Sequence, residues 1–168
     1  IRVVDSRSIT AGLGAMVLAA ARAAADGATA DQVVDLVEDM SARTRVYGVL
    51  DTLENLKKGG RIGNAQALLG SMLSIKPALD LSSGEVEEAG KLRTRKKALA
   101  WLRDRVTDEP KIEQLAIMHG MAPDDVEILR SLLGDNVDTD ELRVGPIGAV
   151  IGTHGGPGVI GVAFVVGN

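Results

Sequence analysis

Strand-like runs alternate with helix-like segments from residue 45 to the end of the chain. We predict strands at 45–53, 75–81, 85–91, 111–119, 142–151 and 159–166, with helices at 64–73, 93–106 and 123–133. Such interleaving builds a mixed sheet covered by helices, so the sequence predicts an α/β fold in two layers. Pro77 lacks a backbone donor for a sheet ladder, which favours an edge position for its strand.

Residues 1–44 read as a separate piece of α/β structure. The run 1–6 is predicted as a buried strand and 11–26 as an alanine-rich helix. Thr29 and Gln32 have the spacing of a capping box, and the residues after them have helical apolar periodicity. We therefore predict a boundary near residue 44, with 1–44 and 45–168 in different domains.

Composition narrows the class of protein. Aromatic residues make up only 2% of the chain and the net charge is -4, which disfavours base stacking and phosphate-backbone binding, so we expect no nucleic-acid partner. Cysteine is absent, which excludes disulfides and thiolate chemistry. With no targeting segment visible, the expected localisation is cytoplasmic.

A basic, glycine-rich loop spans residues 57–63 and contains Arg61 and Ile62. Successive backbone N–H groups beside cations can hold an anion. The spacing matches neither a Walker A motif nor a dinucleotide fingerprint. A solvated glycine turn explains the loop equally well.

His154 precedes Gly155, Gly156, Pro157 and Gly158, a sequence typical of a tight turn between two strands. Its imidazole could donate to a carboxylate or act as an acid or base, although a lone histidine in a turn is more often structural. Because the chain has only two histidines, outside any ligand cluster, we expect no metal site.

Five cations lie within residues 91–97, among them Arg93, Arg95 and Lys96. A solvated helix face is the ordinary explanation. On a chain of net negative charge, the segment also fits a docking surface for an acidic partner, a phosphate group or anionic lipid headgroups.

Together these segments resemble the DegV family along nearly the whole chain. The resemblance rests on five motifs: Val4-Asp5-Ser6 followed by Gly12-Leu13-Gly14, the run 51–62, Ile75-Lys76-Pro77, the basic residues Arg93 and Arg95, and the run 154–158. Each motif is weak alone, and their order and intervals make the match specific.

The DegV resemblance implies a carrier of one long-chain fatty acid, held between two α/β domains, with no cofactor and no catalysis of its own. Residues 1–44 would be the C-terminal part of the first, α/β/α domain. The ligand headgroup would lie near Arg61, Ile62, His154, Gly155 and Gly156. Family members carry a further segment ahead of Ile1 that completes this site.

The same resemblance implies a separate fatty acid kinase as partner, which phosphorylates the carried acid. Arg93, Arg95 and Lys96 would dock that kinase or make transient contact with a membrane surface.

Two other functions stay open from the residues. In a substrate-binding subunit like that of dihydroxyacetone kinase, His154 would capture a small substrate, although a carboxylate-rich Mg²⁺ site is not evident. A DNA-associated regulator has only the basic segment in its favour.

Overall fold

The computed structural model describes residues 1–68, 75–134, 137 and 142–167. Its helices are α1 (Thr10–Ala25), α2 (Ala30–Arg43), α3 (Glu54–Lys58), α4 (Arg95–Thr107), α5 (Pro123–Leu133) and α6 (Ala149–Gly155), with a 3₁₀ helix at Gly63–Leu68. Its strands are β1 (Thr44–Val49), β2 (Lys76–Asp80), β3 (Glu87–Leu92), β4 (Ile112–His119), β5 (Leu142–Pro146) and β6 (Ile160–Val166).

The six strands form one mixed sheet in the order β3-β2-β1-β6-β4-β5. Neighbours are antiparallel except β4 and β5, which run parallel. Strand β6 pairs with β1 on one side and β4 on the other, and most of it is buried. The predicted α/β class and mixed sheet are confirmed.

Helices cover both faces of the sheet because alternate strand residues point to opposite sides. Phe164 of β6 packs in the main core with Leu102 of α4 and Leu129 of α5. Its neighbour Val165 packs against Met16 of α1 and Met40 of α2 on the other face. Helices α1 and α2 thus contact the sheet formed by residues 44–166, and the predicted domain boundary near residue 44 stays a prediction.

Local signals explain two of the helix starts. Thr29 Oγ1 accepts from Gln32 N at 3.3 Å while Gln32 Oε1 accepts from Thr29 N at 2.8 Å, which confirms the capping box. Pro123 opens α5 as predicted, since its missing N–H is not needed in the first turn. Within the described ranges, every helix is too short or too polar to cross a bilayer.

Two predicted strands are wrong. Residues 1–6 form no strand, and left-handed backbone at Arg7 and Thr10 (φ 46° and 49°) turns the chain sharply before α1. The strand predicted over 142–151 ends at Pro146, and residues 149–155 form α6 instead. His154 therefore lies in the last turn of a helix, not in a turn between strands.

The predicted edge position of Pro77 is also wrong, because β2 lies between β1 and β3. Pro77 is the second residue of β2, where its carbonyl accepts from Leu50 N at 3.0 Å. The helix predicted at 64–73 is a 3₁₀ helix that ends at Leu68, and the rest of that prediction lies outside the described residues.

Candidate functional site

A mostly apolar cavity of about 330 Å³ opens on the α1 face of the sheet. Its floor is β1 and β6, and its walls come from α6, from the loop after α3 and from residues 5–10. The apolar lining residues are Ile9, Val46, Leu50, Leu56, Leu79, Leu81, Val86, Met118, Ile147, Ile151, Val159 and Val162. We call it the main cavity; its volume is within the range of small-molecule sites.

Seven of the lining residues have polar side chains. They are Asp5, Arg7, Ser8, Thr10, Arg61, Glu85 and His154. Two of their atoms, Ser8 Oγ and His154 Nδ1, are buried and have no hydrogen-bond partner within the described protein. Burying an unpaired polar atom is costly, so each of these two residues is a candidate to contact a polar group of a ligand.

The positions of His154 and its turn depend on contacts between two distant sequence motifs. A methyl group on Gly59 would collide with His154 Nδ1, so the imidazole can lie only against a glycine. In return, a Cβ at Gly156 or Gly158 would collide with the side chains of Asn55 and Asp51. Both of these glycines also have positive φ, 75° and 79°. The runs 51–62 and 154–158 therefore interlock through glycines.

The structure brings together three of the five predicted ligand residues on the main cavity. Arg61, His154 and Gly155 line it, with the Arg61 side chain exposed and its Nη1 donating to Gly59 O at 3.2 Å. Ile62 instead packs into the apolar cluster beside the cavity, and Gly156 is buried in the turn. These two residues support the site without lining it.

The docking residues predicted from the basic segment divide into two groups. Arg93 and Lys96 are exposed. The Arg95 side chain is only 22% exposed and points inward, so its guanidinium is not available to a partner. It donates to Asp125 Oδ2 at 2.6 and 2.9 Å and to Gly158 O at 2.7 Å, and it lies 3.6 Å from Asp51 Oδ1.

The Arg95 contacts join three parts of the structure. Asp125 belongs to the first turn of α5, Asp51 follows β1, and Gly158 ends the turn after α6. Lys76 adds a second cation on Asp51 at 2.7 Å. Because Gly158 is four residues from His154, Arg95 holds the turn that positions the imidazole.

Sequence reasoning missed Ser8. Its hydroxyl lies against Gly12, where a Cβ would collide with it. Only the left-handed backbone at Arg7 and Thr10 brings Ser8 over the sheet, and neither residue type signals such a conformation. The nearby Gly12 was the one available signal of a close approach.

The described residues contain no group of three or more His, Cys, Asp or Glu side chains that could hold a metal ion. The cavity lining combines hydrogen-bond donors, two arginines and the two carboxylates of Asp5 and Glu85 with an apolar space, on an α/β scaffold.

The chain belongs to the DegV family. The family model, described as "Uncharacterised protein, DegV family", matches residues 1–167. A DegV domain-containing protein of Streptomyces coelicolor is 44% identical over 165 residues, which are 96% of this chain and 59% of that protein.

Two solved structures have the same fold. A DegV family protein from Thermus thermophilus, described as fatty acid binding, matches with a TM-score of 0.90 and 35% identity over 98% of this chain and 60% of that one. A fatty acid binding DegV protein from Streptococcus agalactiae matches with a TM-score of 0.90 and 31% identity over 100% and 60%. The chain therefore spans about three fifths of the length of these relatives.

Replacing Arg95 with alanine should destabilise the fold more than replacing Lys96. Loss of the guanidinium leaves Asp125 and Gly158 O without their donor, which should lower the free energy of unfolding by about 1.5–3 kcal/mol. Lys96→Ala, one residue away and exposed, should change it by less than about 0.5 kcal/mol. Urea denaturation measures both, and equal effects would contradict the assigned role of Arg95.

Proposed function

We propose that the protein binds one long-chain fatty acid, with its carboxylate at Ser8 and His154 and its acyl chain in the main cavity. The observation that carries the proposal is that Ser8 and His154, each with a buried and unpartnered polar atom, line a mostly apolar space. A fatty acid has this same distribution of polar and apolar groups.

The energetics of the two ends of the ligand differ. A carboxylate removed from water needs hydrogen-bond donors. Among the side chains that line the main cavity, those of Ser8, His154 and Arg61 can donate. The tail needs only apolar surface, and each buried methylene contributes about 0.8 kcal/mol. The apolar lining meets that need.

The solved relatives support the same ligand class. The proteins from Thermus thermophilus and Streptococcus agalactiae are described as fatty acid binding, and both share the fold over nearly all of this chain. Both are longer than this chain, which covers 60% of each of them.

The proposed role is that of a carrier, not an enzyme, which presents the carboxylate to a separate fatty acid kinase. The role follows the family resemblance. It is supported by the exposed cations Arg93 and Lys96 beside the Arg95 contacts, because an acidic kinase surface would be attracted to them.

Native mass spectrometry of the purified protein, followed by lipid extraction, tests the ligand directly. One long-chain fatty acid per chain is the expected bound species. If no fatty acid is bound even after incubation with an excess of it, the proposal is wrong, and a small substrate held at His154 is favoured.

Ser8→Ala and His154→Ala should each weaken fatty acid binding by about tenfold or more, because each removes a hydrogen bond to a charged group. Thr153→Ala is the matched control, since Thr153 is exposed and does not line the main cavity. Equilibrium dissociation constants for a fluorescent fatty acid provide the comparison. Unchanged affinity in both variants would remove these residues from the carboxylate site.

Gly59→Ala should weaken fatty acid binding without removing any polar group, because its methyl group displaces the His154 ring. We expect a loss of about tenfold, comparable with that of His154→Ala. Gly152→Ala is the control: Gly152 lies on α6 two residues before His154, and a Cβ there would meet nothing within 4 Å. If both alanine variants bind like the parent, the close approach at Gly59 is irrelevant to binding.

Arg93→Glu combined with Lys96→Glu should slow kinase-dependent phosphorylation of the bound acid by roughly tenfold at low salt. Fatty acid affinity should stay unchanged, because neither residue lines the main cavity. The control is Arg130→Glu, a charge reversal on the exposed face of α5. Equal loss of phosphorylation in the control would show a general charge effect instead of docking.

A further inference from the structure

A row of three glycines and one methionine crosses the sheet. The pairing register places Gly48 of β1 opposite Gly161 of β6, Gly161 opposite Met118 of β4, and Met118 opposite Gly145 of β5. Residues paired in this way point to the same face of a sheet. Because glycine has no side chain, the row forms a trough in which only Met118 rises from the floor.

The trough joins two cavities. Gly48 and Gly161 line the main cavity, while Gly145 lines a second cavity of about 190 Å³ between α1 and the strands β4, β5 and β6. Of the described residues that line these two cavities, Met118 is common to both. Its side chain extends towards the second cavity, since a Cβ on Gly145 would lie 3.6 Å from Met118 Cε.

A thioether is well suited to a movable barrier at this place. Methionine is unbranched, and its three rotatable bonds let it occupy an irregular space or leave it at little cost. Its two cross-strand neighbours, Gly161 and Gly145, carry no side chains that would block that rotation. A branched side chain in the same position would be a fixed wall.

We propose that Met118 is a specificity-determining residue that sets how far an acyl tail extends. With Met118 across the trough, a tail ends in the main cavity. With Met118 rotated aside, a longer tail continues over Gly145 into the second cavity beneath α1. This inference rests on the proposed function, because it assigns the length selectivity of the same fatty acid site.

Dissociation constants for a series of saturated fatty acids of increasing length test the inference. For the parent protein, affinity should rise by about fourfold per added methylene and then level off. In the Met118→Ala variant, affinity should keep rising for acids longer than the parent's limit, because the substitution removes the barrier. In the Gly145→Val variant, affinity should stop rising at the same acyl length as in the parent or at a shorter one, because the valine side chain fills the second cavity from the exposed strand β5.

Met121→Ala is the control, since Met121 is 85% exposed and lines neither of the two cavities. If Met118→Ala and Met121→Ala both reproduce the parent profile, Met118 does not set tail length, although fatty acid binding stands. If the parent protein binds none of the acids, both the inference and the proposed function fail. Gly145→Val keeps the methionine and narrows the second cavity beside Met118 Cε, so it provides the test should Met118→Ala not fold. Affinity that rises to longer acids in Gly145→Val than in the parent would contradict the inference.

Discussion

The contact between the segment after β1 and the turn after α6 holds the candidate site together. Three glycines make it possible, because Gly59, Gly156 and Gly158 each lie where a Cβ would collide with a side chain of the opposite segment. In a closely packed interior, a side chain added at one of these glycines would displace the residue that it touches. His154 is therefore positioned by residues almost a hundred positions away in the sequence, and the two runs that carry the family resemblance form one structural unit.

Glycine has a second use on the sheet itself. Gly48 and Gly145 leave a space where side chains would normally fill the interior. Gly161 also allows the backbone of β1 to come close, because a Cβ there would lie 2.5 Å from Tyr47 O. The helix above is compatible with that space, since α1 is rich in alanine and glycine where it faces the second cavity. A packed α/β core would instead fill such a row with branched residues, so the missing side chains favour a ligand in their place.

The sequence predicts the fold better than the site. The capping box at Thr29 and the proline at 123 act locally, so their helices are recognisable without tertiary information. The sequence does not reveal α6, because its local preference is for a strand or turn, given Val150, Ile151 and two glycines. The helix is stabilised by contacts with α3, which the sequence does not show. Arg95 shows the same limit: the side chain looks like a surface cation in the sequence, and only the fold brings Asp125 and Gly158 O to it.

His154 is positioned by packing and not by a hydrogen bond from Nδ1 to another described residue. An imidazole that works as a general base is usually oriented by a hydrogen bond from its second nitrogen to a carboxylate or carbonyl. Here Nδ1 is buried against Gly59 without such a partner in the described protein. The carboxylate of Asp51, which lies against Gly158 of the same turn, instead pairs with Lys76 at 2.7 Å and lies 3.6 Å from Arg95. A ring held by packing in this way can still donate a hydrogen bond to a carboxylate, and its position then depends on Gly59 instead of a polar partner.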